Sequence, residues 1–263
     1  MTHAVKEFTV NDKTFSVCGS PQDVYFQYLA VDDGLNEVAV RICESWTDRE
    51  AVVLDVGANI GFTSSMFANE VPSGHVYGFE PSPQVFPRLN ETLALNGFTN
   101  CSTYQLGMGK EPGALAFYDD PGSASASHIV SGDNAYNVPT TSIEVSTIDA
   151  FVKKEGLTRV DMIKIDVEGF ELDVLAGAVE TLARFRPKVY LEFNSFTLIA
   201  YGNLNPRFVI EKLVEIFPHV YTIRNGQFSE IRGPLSILNF LHANLTQHIC
   251  VNDLYCSFEE LVL

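Results

Sequence analysis

Residues 52–70 read VVLDVGANIGFTSSMFANE. An apolar run ends on Asp55, two glycines four apart follow at Gly57 and Gly61, and a helix-forming stretch begins at Phe62. A strand that passes through a glycine turn straight into a helix is the opening of a βαβ unit, and the same alternation continues downstream. HVYGFE reads as a second strand, and PSPQVFPRLNETLALNG as a helix closed by Asn96-Gly97. CSTYQLGMG reads as a third strand, VDMIKIDVEG as a fourth, FELDVLAGAVETLARF as one helix and KVYLEFN as a fifth strand. NPRFVIEKLVEIFP supplies another helix, HVYTIRN a sixth strand and CVNDLYCSFEE a last one, with a hairpin expected at Gly226. The pattern dictates a mostly parallel sheet with helices on both faces.

Two regions stand outside this alternation. Between 110 and 147, GALAFYDD reads as an extra strand and IEVS as another, but PGSASASHIVSGDNAYNVPTTS carries no period. A loop of that length in a compact domain points to a lid or binding loop. Residues 1–45 form an N-terminal extension before a main domain over 46–263. KEFTVNDKTFSVCG alternates like a small hairpin, while PQDVYFQYLA and LNEVAVRICESW read as helices. This extension is expected to cover the mouth of the site or to mediate a homodimer.

Charge and composition narrow the partners. A chain of 263 residues that is 46% apolar can bury a full core. Its formal net charge is −16, which repels a phosphate polyanion and argues against a nucleic-acid partner. It mildly favours a neutral or cationic acceptor. The start MTHAVKEFTVNDKTF lacks a basic stretch leading into an apolar one, and no apolar run is long enough to span a bilayer. The expected location is cytoplasmic, without membrane insertion, and the five scattered cysteines are expected as free thiols.

Ligands of open α/β sheets bind beyond the carboxyl ends of the strands, where the 57–61 turn lies. A dinucleotide site would prefer G-x-G-x-x-G, but Asn59 stands at the middle glycine and Asp55 repels a diphosphate. A ligand with a positive amino group fits better. The second strand ends on Glu80, whose carboxylate can accept hydrogen bonds from two ribose hydroxyls. An amino-acid head near Asp55 and a ribose near Glu80 together describe S-adenosylmethionine.

VLDVGANIGFTS, FEPSPQVFPRL, STIDAF and above all IKIDVEGFELDVLAGA resemble the FkbM family of S-adenosylmethionine-dependent methyltransferases over about residues 46–258. The resemblance implies the class I methyltransferase (Rossmann-like) fold, with a mostly parallel seven-stranded sheet and an antiparallel last strand. It also implies O-methylation of a hydroxyl on a small-molecule natural product, sugar or glycan. Asp55, Gly57, Asn59 and Gly61, with Phe62 and Thr63, would surround the methionine part of the cofactor. Glu80 would take the ribose, and Leu106, Gly107 and Met108 the adenine. Asp166 would lie beside the transferred methyl.

An alcohol attacks poorly while protonated and needs a base or a metal. Asp166 and Glu168, just beyond the fourth strand, are candidates for the base; the other reading of both is that they cap the following helix. Asp166, Glu192 and Asn194 form a candidate Mg²⁺ set of hard oxygen donors from neighbouring strand ends. His128, in the Ser-rich loop, is a further candidate base, against simple solvation. Phe193, Phe196 and Tyr201 either line an acceptor pocket or pack in the core, and Trp46 is expected to pack. Three other activities stay open: N-methylation of a small molecule or peptide, nicotinamide-dependent oxidoreduction, and a non-catalytic cofactor-binding module.

Overall fold

The structure is a computed structural model that describes residues 3–29, 43, 48–130, 138–224 and 227–260. The helix expected over 35–46, apart from Cys43, lies outside the described residues, as do Trp46 and the turn at Gly226. The chain opens with a hairpin, β1 (Ala4–Val10) and β2 (Lys13–Gly19), followed by a short helix α1 (Val24–Tyr28). Then come β3 (Val52–Val56), α2 (Phe62–Glu70), β4 (His75–Phe79), α3 (Phe86–Asn96) and β5 (Cys101–Tyr104). The segment that follows builds β6 (Gly107–Met108), β7 (Gly113–Tyr118), β8 (His128–Ile129) and β9 (Thr141–Ser146). The second half runs through α4 (Ile148–Lys154), β10 (Met162–Ile165), α5 (Glu171–Ala176), α6 (Val179–Phe185) and β11 (Lys188–Asn194). It ends with α7 (Ser195–Ala200), α8 (Pro206–Ile216), β12 (His219–Arg224), β13 (Gln227–Glu230), α9 (Pro234–Gln247) and β14 (Val251–Ser257).

The central sheet has the order β13-β12-β14-β11-β10-β3-β4-β5. Strands β11, β10, β3, β4 and β5 pair parallel, and β14 enters antiparallel between β11 and β12. This is the expected mostly parallel sheet with its antiparallel last strand, except that it has eight strands rather than seven. The eighth, β13, folds back on β12 as the return of the edge hairpin. Among the described residues no helix is long and apolar enough to cross a bilayer.

Alternation along the strands decides which side chains meet. Leu54 and Val56 of β3 face one core with Ile163 and Ile165 of β10. Val53 and Met162 face the other, beneath α2. Asp55 and Lys164, in register with each other, therefore share that second face. Helix α2 is buried almost all round, as a helix sandwiched between layers must be.

The N-terminal hairpin closes this second core. Phe8 and Phe15 pack on Phe62 with ring centroids 5.1 and 5.5 Å away. Its edge is stitched to α3: Thr92 accepts a hydrogen bond from the Cys18 amide, and Asn96 both accepts from and donates to the Ser16 backbone.

Three local expectations give way. CSTYQLGMG is two strands, because the chain leaves the central sheet after Tyr104 and β6 joins a second sheet of order β6-β9-β7-β8. FELDVLAGAVETLARF is two helices: Gly177 passes so close to the Gly109 carbonyl that a Cβ there would lie 2.0 Å from it, and the chain turns at that contact. Within the unpatterned 121–142 stretch β8 pairs with β7, and residues 131–137 lie outside the described residues.

Phe62→Ala removes the ring that joins the hairpin to α2 and should cost about 3–5 kcal/mol of stability in urea unfolding. A loss below about 1 kcal/mol would show that the hairpin contributes little to the core.

Candidate active site

A cavity of about 360 Å³ opens at the carboxyl ends of β3, β4, β10 and β11 and the amino end of the antiparallel β14. One end is built by the glycine turn. Gly57 and Ala58 both donate to the Phe79 carbonyl, which fixes the turn against β4. Gly57 has φ +81° and lies so near the neighbouring strand end that a Cβ would be 1.8 Å from the Asp166 carbonyl oxygen, so no other residue fits. Asn59 adopts φ +48°, which Asn tolerates, and its amide donates to Glu80 Oε2 at 3.0 Å. Ser82 donates to the other Glu80 oxygen. Burial pushes the Glu80 carboxyl up to about 7, against the pull of those two amides and of Lys164.

Gly57, Asn59, Thr63, Glu80, Leu106, Gly107, Met108 and Asp166 all reach the cavity wall as the sequence suggests. Asp55, Gly61 and Phe62 do not. Asp55 is 0% exposed and accepts hydrogen bonds from Thr63 and Ser64 at 2.8 and 2.6 Å, so it anchors the first turn of α2 from beneath. Gly61, at φ +90°, is the residue from which α2 starts, and the Phe62 ring points to the hairpin.

Carboxylates line the opposite end. Oxygen atoms of Asp166, Glu168 and Glu192 lie within 4.8 Å of one another. Asp253, which sits opposite Glu192 in the β11–β14 register, joins the same wall. Burial, and then the charge of Asp166, raise Glu168 and Glu192 well above the ordinary carboxylate range. Neither Asp166 nor Glu168 caps α5, whose first residue has no side-chain cap; Glu171 instead turns back to accept from the Gly169 amide. Glu168 sits at φ +54°, a left-handed conformation unusual for Glu, which aims its side chain into the cavity.

Asn194 is not free for a cation. Its Oδ1 accepts from the Phe196 and Thr197 amides as the N-cap of α7, and its Nδ2 points to Glu192. The oxygen set that converges is therefore Asp166, Glu168 and Glu192, with Glu168 in the place expected for Asn194.

His128 is a buried wall residue rather than a solvated loop residue, at 8% exposure. Its ring stacks on Tyr201 at 3.6 Å and 4°. Nδ1 lies 2.9 Å from the Ala126 carbonyl, which can only accept, so Nδ1 carries the proton and Nε2 keeps its lone pair. Burial lowers its pKa, outweighing the Ala126 contact. Phe193 belongs to the core, whereas Phe196 is exposed and packs edge-on to Tyr201.

Four wall residues lie outside the sequence expectations. Lys164 is a charged residue inside the apolar run MIKI, and that contrast is the sequence signal for it. Asp253, Tyr25 and Tyr28 also line the cavity. The last two come from α1, which Asp23 caps while also accepting from the Ala124 amide, so that α1 and the 122–129 segment roof the cavity together.

The donor set suits an adenosyl amino acid. A backbone turn with no Cβ, an acidic side chain one strand away and the apolar Leu106–Met108 wall offer, in order, space for an amino-acid end, acceptors for ribose hydroxyls and a surface for a base.

Residues 55–229 match the model of the methyltransferase FkbM domain family. The hexuronic acid methyltransferase AglP of Haloferax volcanii is 29% identical over 143 residues, which cover 54% of this chain and 56% of that protein. The 2-O-methyltransferase NoeI of Sinorhizobium fredii is 25% identical over 177 residues, 62% of this chain and 71% of that protein. The chain thus spans little more than half the length of the first of these relatives. The crystal structure of methyltransferase FkbM from Methylobacillus flagellatus KT superposes with a TM-score of 0.50 at 14% identity, over 80% of this chain and 44% of that one.

Glu171 is 3% exposed, and burial raises its carboxyl to about 7. The folded state then binds a proton more tightly than the unfolded chain does. Its contribution is complete below the unfolded carboxylate pKa and is lost as pH rises through about 7. Glu171→Gln should therefore be more stable than the parent at pH 8 by on the order of 2–3 kcal/mol, a gap that closes near pH 4.5. Equal urea midpoints at pH 8 would show the carboxylate to be better solvated than its burial implies.

Proposed function

The chain belongs to the methyltransferase FkbM domain family, and from that membership we propose that it transfers a methyl group from S-adenosylmethionine to a hydroxyl of a sugar, glycan or other small molecule. The observation that carries the reading is one cavity lined by the glycine turn and Glu80, by a group of carboxylates and by His128. S-adenosylmethionine, when bound, supplies a methyl group on a positively charged sulfur that needs no activation.

The chain's own residues would do the rest. Glu80 accepts from the ribose hydroxyls, the Gly57–Asn59 backbone holds the amino-acid end, and Leu106, Gly107 and Met108 cover the base. Asp166, at the junction of the two ends, orients the attacking hydroxyl. His128 Nε2 takes the hydroxyl proton as the oxygen becomes the nucleophile. Displacement at carbon requires the oxygen, the methyl carbon and the sulfur in line, so most of the rate comes from this alignment.

NoeI, named a 2-O-methyltransferase, supports an oxygen acceptor, and AglP, named for hexuronic acid, supports a sugar. The acceptor wall here qualifies that support. With Asp166, Glu168, Glu192 and Asp253 on one side, where burial and mutual repulsion already raise Glu168 and Glu192, it favours an uncharged polyol over a uronate, which would add another acid to a crowded set.

Two measurements test the reading. Calorimetric titration with S-adenosylhomocysteine should show binding that weakens as pH falls through about 7, where Glu80 takes up its proton; no binding at pH 8 would overturn the proposal. Transfer of labelled methyl to a panel of neutral sugars, uronates and amines then finds the acceptor. His128→Ala should lower kcat by about 10²–10⁴ without changing S-adenosylhomocysteine affinity. The parent's kcat should fall on an acid limb below the ordinary imidazole value of 6.5.

A further inference from the structure

We propose that Lys164 is a positioning residue that ties the two ends of the cavity together, fixing the glycine turn through the Gly57 carbonyl while holding Asp55 on one side and Asp166 on the other. The inference rests on the cofactor reading above and assigns a role to a residue outside it.

Lys164 is 3% exposed on β10, where its strand neighbours Met162, Ile163 and Ile165 are fully buried. A lysine in such a run needs acceptors for all three of its protons. Its Nζ donates to the Gly57 carbonyl at 2.6 Å and lies 3.4 Å from both Asp55 Oδ1 and Asp166 Oδ2. Each acceptor comes from a different part of the site. Asp55 anchors α2, Gly57 forms the turn, and Asp166 opens the carboxylate wall.

Asp55 Oδ1 is buried and has no hydrogen-bond partner, so the Lys164 ammonium is the charge that balances it. Burial alone would push the lysine towards neutrality, but Asp166 and Asp55 outweigh it and raise its pKa. The backbone is equally tight at this point: the Asp166 amide donates to the Val56 carbonyl, and the Asp166 carbonyl occupies the space a Gly57 Cβ would need. A shift of the turn is therefore a shift of Asp166, and Lys164 sets both.

Lys164 also acts on Glu80. The groups facing that carboxylate are Lys164 from β10, Asp119 from the segment after β7, and the amides of Asn59 and Ser82. Of these groups Lys164 carries a positive charge, and it favours the ionised carboxylate.

The test uses full-length protein, S-adenosylhomocysteine as probe, and calorimetry from pH 6 to 9. Lys164→Met should weaken binding at least 30-fold at pH 8 and move the acid midpoint of binding to higher pH. Lys164→Gln keeps an N–H for the Gly57 carbonyl and should recover part of the affinity but not the midpoint. Lys164→Met/Asp166→Asn, which removes one charge of each sign, keeps the comparison open if the single variant does not fold; it too should bind weakly with a raised midpoint. A merely structural ion pair would change unfolding but leave the midpoint in place. Folded variants that bind within twofold of the parent, with an unmoved midpoint, would overturn the positioning role alone. A parent protein that binds no S-adenosylhomocysteine would instead overturn the cofactor reading beneath it.

Discussion

The ion-pair junction beneath the glycine turn is the constraint on which the site depends. Asp55 is a fully buried carboxylate at the end of the central strand, and a charge there is tolerated only because Thr63, Ser64 and Lys164 meet it. Those partners fix three things at once. The two hydroxyls set where α2 begins, the lysine ties β3 to β10, and the lysine's remaining bond holds the turn carbonyl. With β10 in parallel register against β3, Lys164 lies opposite Asp55 and reaches the turn two residues further on. Site geometry is thus a consequence of sheet register, and the register is itself enforced by apolar residues on both faces of both strands.

The same junction divides the cavity electrostatically. On the turn side, Glu80 is the charged group and two backbone amides support its ionised form. On the other side, Asp166, Glu168 and Glu192 crowd together, and burial and then the charge of Asp166 raise Glu168 and Glu192 well above the ordinary carboxylate range.

Much of this was legible because class-specific chemistry sits at strand ends. Asp55 and Gly57 at the first strand, Glu80 at the second and Asp166 at the fourth are each preceded by an apolar run whose end the sequence marks, and α/β sheets place such ends together. Burial direction was less legible. Parallel strands are apolar on both faces, so nothing in VVLDV says whether Asp55 points into the cavity or beneath the turn, and it points beneath. The same ambiguity hid Lys164. Asn194 was misread for another reason: an amide oxygen at a strand end is as suited to capping the next helix as to binding a cation, and the short α7 that claims it has too little period to be seen. The break at Gly177 depends on a carbonyl nearly seventy residues away, which no local pattern records.

The roof shows most plainly what lies beyond sequence pattern. Helix α1 has only five residues, too short to be stable alone, and it exists because of contacts at both ends. At its start, Asp23 accepts from the Tyr25 and Phe26 amides, and the Val24 amide reaches the Gly122 carbonyl. At its end, Lys6 from β1 donates to the carbonyls of Gln27 and Leu29, where a cation opposes the helix dipole. Phe26 then lies against Gly19 so closely that any side chain there would meet its ring. The hairpin thus carries α1 to the cavity, and Asp23 joins it to the segment that holds His128. Since Tyr25 and Tyr28 come from one arm and His128 from the other, this part of the cavity wall is assembled from chain segments a hundred residues apart. The hairpin and the histidine segment are thus joined through α1, by Asp23 to the Ala124 amide and by the Val24 amide to the Gly122 carbonyl.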